Sequence, residues 1–183
     1  MERLSREQGG APGFIPVTDG VCLLREPFGG TTTGIILVRG RENILIDAGG
    51  SAALVDSVLV PALAAQGLAP RDIDVLTCTH THGDHIGGFA RMRALGVKQI
   101  AAYIKSADKI RKPLYYNAEI RRAFPENSPP PSAGLVGTTA DAVLADGDLL
   151  GGRLELDRND YLREATGAEF TAKNFRTWGA SVI

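Results

Sequence analysis

All three histidines of this 183-residue chain fall in one short stretch, His80-Thr-His82-Gly-Asp84-His85. Neutral imidazoles and a carboxylate in such proximity are the donor set of a zinc site, and also suit iron or manganese. On an extended segment leaving a strand, a spacing of two turns His80, His82 and Asp84 to one side. His85 follows where a helix begins, so it aims at a neighbouring point. The spacing therefore predicts two adjacent coordination corners, His80 with His82 and Asp84 with His85. Gly83, Gly87 and Gly88 allow the backbone to bend and a metal or substrate to approach closely. The plainer alternatives are a polar loop with surface histidines, or Asp84 serving as a helix N-cap. Either accounts for one residue at a time, not for the group.

The elements that must position this cluster are legible on both sides of it. "VCLLRE" (21–26) suits a strand. "GIILVRGRENILIDAGG" (34–50) reads as a hairpin turning at Gly40–Glu42, its second strand ending at Asp47. Leu54, Val55, Val58, Leu59 and Leu63 have helical spacing within 51–67. Ser51 is the N-cap of that helix, Gly67 its stop, and Pro61 a kink or split. "IDVLTCT" (73–79) is a short apolar run of the kind found in buried strands, and the histidines follow it directly. A helix over 86–96 stopped by Gly96 and a strand over 97–103 complete an alternating α/β pattern. Residues 1–20 read as a loose lead-in. Residues 106–124 carry mixed helical signal interrupted by Pro113, 125–134 form a Pro-rich loop, and 142–156 read as two short strands.

Composition narrows the class. An apolar fraction of 44% and a charged fraction of 22% are ordinary for a soluble globular domain. The net charge of −1 argues against a strong nucleic-acid or anionic-membrane footprint. Cys22 and Cys78 are not in a Cys-x-x-Cys pair and read as reduced, buried thiols. The opening residues "MERLSREQGGAPGF" have no apolar core, so no secretory signal is expected. The most apolar region, 52–65, is too short to span a bilayer. These features together predict a cytoplasmic protein.

"THTHGDHIGG" resembles the His-x-His-x-Asp-His signature of the metallo-β-lactamase superfamily. The resemblance extends to "NILIDAGG", like the family's earlier strand ending in aspartate, and to "DGDLLGGRLEL", like the strand pair before its next ligand. It covers about residues 15–156. It implies an αββα sandwich, an α/β (α+β) fold with metals at one edge of the sheets. It also implies a zinc-dependent hydrolase in which a metal-activated water attacks an ester, thioester, lactam or phosphodiester of a small-molecule substrate. His80 and His82 would hold one metal. Asp84 and His85 would hold the other, with Asp84 also orienting the nucleophile. Asp47 would support the loop from behind; by itself it reads equally well as a strand-end turn residue.

The family's later ligands find no match, since the chain has no histidine after His85. Asp141, Asp146, Asp148, Asp157 and Asp160 lack the surrounding motif. Residues 1–156 are thus expected to be the N-terminal part of the domain. Its activity would be impaired, and its sheet would be left uncovered and prone to homo-oligomerise. Residues 157–183 read as two short amphipathic helices and resemble a fragment of type IB DNA topoisomerases around "FTAKNFRTW". That resemblance implies a phosphate contact by Arg176 and a nucleic-acid-binding alternative. The tail's four basic residues are matched by four acidic ones, so its electrostatic hold on DNA is weak.

Overall fold

The structure, a computed structural model, describes residues 13–28, 31–123 and 135–145. The chain divides into two compact units, Met1–Leu144 and Ala145–Ile183. The first holds every element described below. The Pro-rich loop, the second strand expected within 142–156, the two C-terminal helices and Arg176 lie outside the described residues.

Seven strands form one sheet in sequential order: β1 (Ile15–Thr18), β2 (Val21–Phe28), β3 (Thr31–Arg39), β4 (Asn43–Ile46), β5 (Val75–Thr77), β6 (Gln99–Tyr103) and β7 (Ala142–Leu144). The first four pair antiparallel and the last three join in parallel. The switch follows from the connections. A short turn such as 40–42 can only return a strand antiparallel, whereas the helical crossovers after β4 and β5 deliver parallel neighbours. This is the mixed α/β architecture that the alternating pattern predicts. Among the described residues one sheet is present, so a second sheet of the expected sandwich is not on view.

Register sorts the sheet into two faces. Leu24, Ile35, Leu37, Leu45, Leu76 and Ile100 share one face and are fully buried. They belong to a single core with Val55, Leu59, Leu63, Phe89, Met92 and Ile110 of the helices. Val21, Leu23, Ile36, Val38, Ile44, Ile46 and Val75 line the other face. On that face Ile44 and Val75 are 4% exposed and the rest half-buried.

Three expectations need correction. The lead-in contains β1, an edge strand whose Ile15 and Val17 are 61% and 64% exposed. The helix after Ser51 is not split at Pro61. It runs through α1 (Ala52–Leu54), a π-helical stretch (Val55–Leu59) and α2 (Val60–Ala65). Widening the ladder so that Val60 N donates to Val55 O admits, one residue later, a proline that lacks an N–H. The helix after the histidines begins earlier than expected, as α3 (Gly83–Ile86), and resumes as α4 (Phe89–Ala94). Ser51 does cap α1, accepting from Leu54 N at 3.1 Å. Gly67 and Gly96 take positive φ just past their helices. Pro113 opens α6 (Pro113–Ala123) after α5 (Ile104–Arg111).

Beyond α6, Asp141 is committed to structure. Its Oδ2 accepts from Ile100 N at 2.7 Å and from Arg93 Nη2 at 2.8 Å, joining α4, β6 and the approach to β7. Both cysteines are free thiols, half-buried and not fully so.

Candidate metal centre

The cluster sits at the carboxyl ends of β4 and β5, where loops of a parallel sheet converge and ligands of α/β proteins bind. Asp47 follows β4 with φ of 67°, a left-handed conformation that aspartate tolerates better than most residues. That turn places a carboxylate that is 1% exposed beneath the histidine segment. Its Oδ1 accepts from Thr79 N at 2.8 Å. Its Oδ2 accepts from Thr79 Oγ1 and from His85 Nδ1, both at 2.8 Å.

The backbone locks the same two loops together. Ala48 N donates to His85 O at 2.9 Å and Gly88 N to Gly49 O at 3.0 Å. A Cβ at Gly87 would collide with Gly50 O, and one at Gly88 with Ala48 O. The glycines thus serve first to let α3 press onto the loop after β4.

The extended segment ends at His82, which precedes α3 with φ −70° and ψ 153°. Asp84 therefore lies in the first turn of a helix, not on an extended strand with His80 and His82. It does not cap that helix. Its Oδ2 accepts from Thr33 Oγ1 at 3.0 Å and lies 3.2 Å from His85 Nε2. The His80 ring is 4.6 Å from that of His82 and 4.0 Å from that of His85, centroid to centroid. His80 and His82 are exposed, while Asp84 and His85 are half-buried.

Hydrogen bonding fixes tautomers. His85 Nδ1 donates to Asp47, so the neutral ring keeps its proton there and turns the Nε2 lone pair toward Asp84, whereas the cation donates from Nε2 to Asp84 as well. The single hydroxyl proton of Thr79 is committed to Asp47, so Thr79 Oγ1 can accept from His80 Nδ1 at 3.1 Å. That arrangement leaves His80 Nε2 with its lone pair. Thr33 and Thr79 carry no sequence signal of such roles; a threonine in or beside a strand is unremarkable.

The electrostatics differ across the cluster. Burial works against a charged His85, but hydrogen bonds to Asp47 and Asp84 outweigh it and push the imidazole up to about 9. Burial would raise Asp84, yet the His85 hydrogen bond and charge and the Thr33 hydroxyl hold it down at about 2. Desolvation, then repulsion by His85 and His82, depresses His80 to about 4, an effect softened by the solvent that reaches this residue. Burial, aided by the Asp47 charge, pushes the Cys78 thiol up to about 12, so it is no ready nucleophile.

In kind, these donors fit a zinc-type ion: an imidazole backed by a buried carboxylate, a second imidazole held neutral, and an ionised carboxylate beside them. In number they form pairs. Among the described residues no three His, Cys, Asp or Glu side chains converge into a group that could hold a metal. No helix among them is long and apolar enough to cross a membrane.

A histidine and carboxylate cluster thus stands at the carboxyl ends of neighbouring parallel strands of a mixed sheet. Residues 27–159 match the family described as the metallo-beta-lactamase superfamily, and the chain belongs to it. Metallo-beta-lactamase domain-containing protein 1 of Mus musculus is 43% identical over 68 residues, 37% of this chain and 23% of the mouse protein. The Xenopus laevis protein of that name is 32% identical over 91 residues, 50% of this chain and 36% of its own length. The metallo-beta-lactamase FEZ-1 of Legionella gormanii shares the fold with a TM-score of 0.56 at 20% identity, over 78% of this chain and 52% of that one. A Cronobacter sakazakii enzyme with a HARLDQ motif does so with a TM-score of 0.56 at 22% identity, over 76% and 51%. The chain thus matches about a quarter to a third of the length of these curated relatives, and about half of the solved structures.

Proposed function

We propose that this chain is the metal-binding part of a zinc-dependent hydrolase and carries half of a dinuclear centre. The supporting observation is the continuous frame Thr79–Asp47–His85–Asp84, which presents His85 Nε2 and the Asp84 carboxylate at one point beside His80 and His82. His80 and His82 would hold one ion, and Asp84 and His85 the other. Bound there, zinc supplies Lewis acidity and an activated water near neutral pH. Iron or manganese suits the same donors.

The chain's own residues bind, orient and exclude. Asp47 keeps His85 in the tautomer that exposes Nε2 and raises its basicity. Asp84 can direct a nucleophile from its half-buried position. The exposed side, at His80 and His82, admits a small-molecule substrate bearing an ester, thioester, lactam or phosphodiester. Two donors per corner make weak sites, because a firm catalytic zinc uses three protein ligands. Weak uptake and little hydrolysis follow, and a cytoplasmic setting suits the two free thiols.

Metal analysis of the full chain after gel filtration tests this. Substoichiometric zinc that disappears in the His80→Ala, His82→Ala double variant is the expected result. Two tightly held zinc ions per chain would overturn the half-site description, and zinc content unchanged by the double substitution would overturn the donor assignment.

A further inference from the structure

We propose that Thr33 is a positioning residue for Asp84, a role that rests on the assignment of Asp84 as a metal donor. Thr33 lies on β3, 51 residues before Asp84, at the end of the face that also carries Ile35 and Leu37. It is 4% exposed, whereas its neighbour Thr32 is exposed. A buried hydroxyl without a partner is costly, and Thr33 Oγ1 meets its need by donating to Asp84 Oδ2 at 3.0 Å. A hydroxyl given to a carboxylate is a charge-assisted bond, stronger and more directional than a neutral one.

Two donors reach that same oxygen. His85 Nε2 approaches it at 3.2 Å, but only a protonated Nε2 can donate. Once Nε2 serves as a ligand it has no proton to give. Thr33 then becomes the side-chain donor that still fixes Oδ2, and through it the direction of the whole carboxylate. The bond also ties the first turn of α3 to the middle of the antiparallel sheet, independently of Asp47. Valine would suit the position as a strand residue and as an isostere; what the hydroxyl adds is the hold on Asp84.

The test compares Thr33→Val, Thr33→Ala and Thr33→Ser in the full chain, using cobalt(II) as the probe and its visible absorption as the readout. Thr33→Val and Thr33→Ala should weaken cobalt binding about ten-fold or more and change the band shape, as loss of a bond behind a ligand does. Thr33→Ser, which keeps the hydroxyl, should stay within about three-fold of wild type. Carbon-13 NMR of the metal-free protein gives a second readout, in which the Asp84 Cγ resonance should move in Thr33→Val and return in Thr33→Ser. Cobalt binding in Thr33→Val within about two-fold of wild type, or Thr33→Ser as weak as Thr33→Val, would overturn the role. If wild type takes up no cobalt, the metal-donor reading fails. The NMR comparison then decides the Thr33 contact, and an Asp84 resonance indifferent to Thr33→Val overturns it.

Discussion

Replacing Asp47 with alanine should cost the metal-free protein about 4 kcal/mol. The carboxylate takes three hydrogen bonds, from Thr79 N, Thr79 Oγ1 and His85 Nδ1. Bonds to a charged group contribute about 1.5–3 kcal/mol each when their loss leaves a partner unsatisfied. The Thr79 hydroxyl is exposed and can turn to water, so it adds little. The Thr79 amide and the half-buried His85 ring remain, which gives about 3 kcal/mol. Alanine at a φ of 67° adds about 1 kcal/mol of left-handed strain. For a domain of this size that total lowers Tm by roughly 8–16 °C.

The two parts can be separated. Asp47→Gly removes the strain but not the loss of bonds and should cost about 3 kcal/mol, less than alanine. Asp47→Asn keeps both the backbone preference and one acceptor and should cost about 1–2 kcal/mol. Urea unfolding of the three variants, followed by circular dichroism after chelation, measures the series. An alanine variant within about 1 kcal/mol of wild type, or one more stable than the glycine variant, would refute the reasoning.

The His85 and Asp84 shifts predict a pH profile for the metal-free protein. His85 rises from 6.5 to about 9 on folding, so its contribution is complete below about 6.5 and is lost as pH climbs through 9. At about 1.4 kcal/mol per tenfold change in proton affinity, with some discount for solvent access, stability should fall by about 2–3 kcal/mol across that window. Asp84 falls from 3.8 to about 2, so its contribution holds above about 4 and is lost as pH drops through 2. Unfolding free energies between pH 6 and 10 check the alkaline limb, and a His85→Gln variant with the same slope as wild type would show that the limb has another source. Gly88→Ala should fail to accumulate as folded protein at 37 °C, because its methyl would meet Ala48 O and the Val55 side chain. A soluble variant with wild-type Tm would contradict that packing.

Much of the frame was legible because its signals are local. The hairpin about 40–42, the apolar run before the histidines, and the glycine stops at Gly67 and Gly96 each depend on a few neighbouring residues. β1 carries no such signal, because Ile15 and Val17 are exposed and no buried face marks the strand. The π-helical stretch is likewise unmarked, because the apolar period around Pro61 is the same whether the ladder breaks or widens. At the site, the histidines and Asp84 stand out by type and by nearness in sequence, but their spacing suggests one extended segment where Asp84 sits on a helix. The contacts of Thr33 and Thr79 do not stand out, because tertiary pairing assigns them. A strand threonine 51 residues from its partner carries no periodicity that points to it.

The backbone rungs between Ala48 and His85 and between Gly49 and Gly88 bear on how the centre can move. They tie the loop after β4 at two points, to His85 of α3 and to Gly88 at the head of α4. Opening either loop means opening the other and exposing the Asp47 carboxylate. Local motion at the cluster is therefore left to the His80–His82 side, where the rings meet solvent, while the inner wall, Thr79 included, opens only with the loops that hold Asp47.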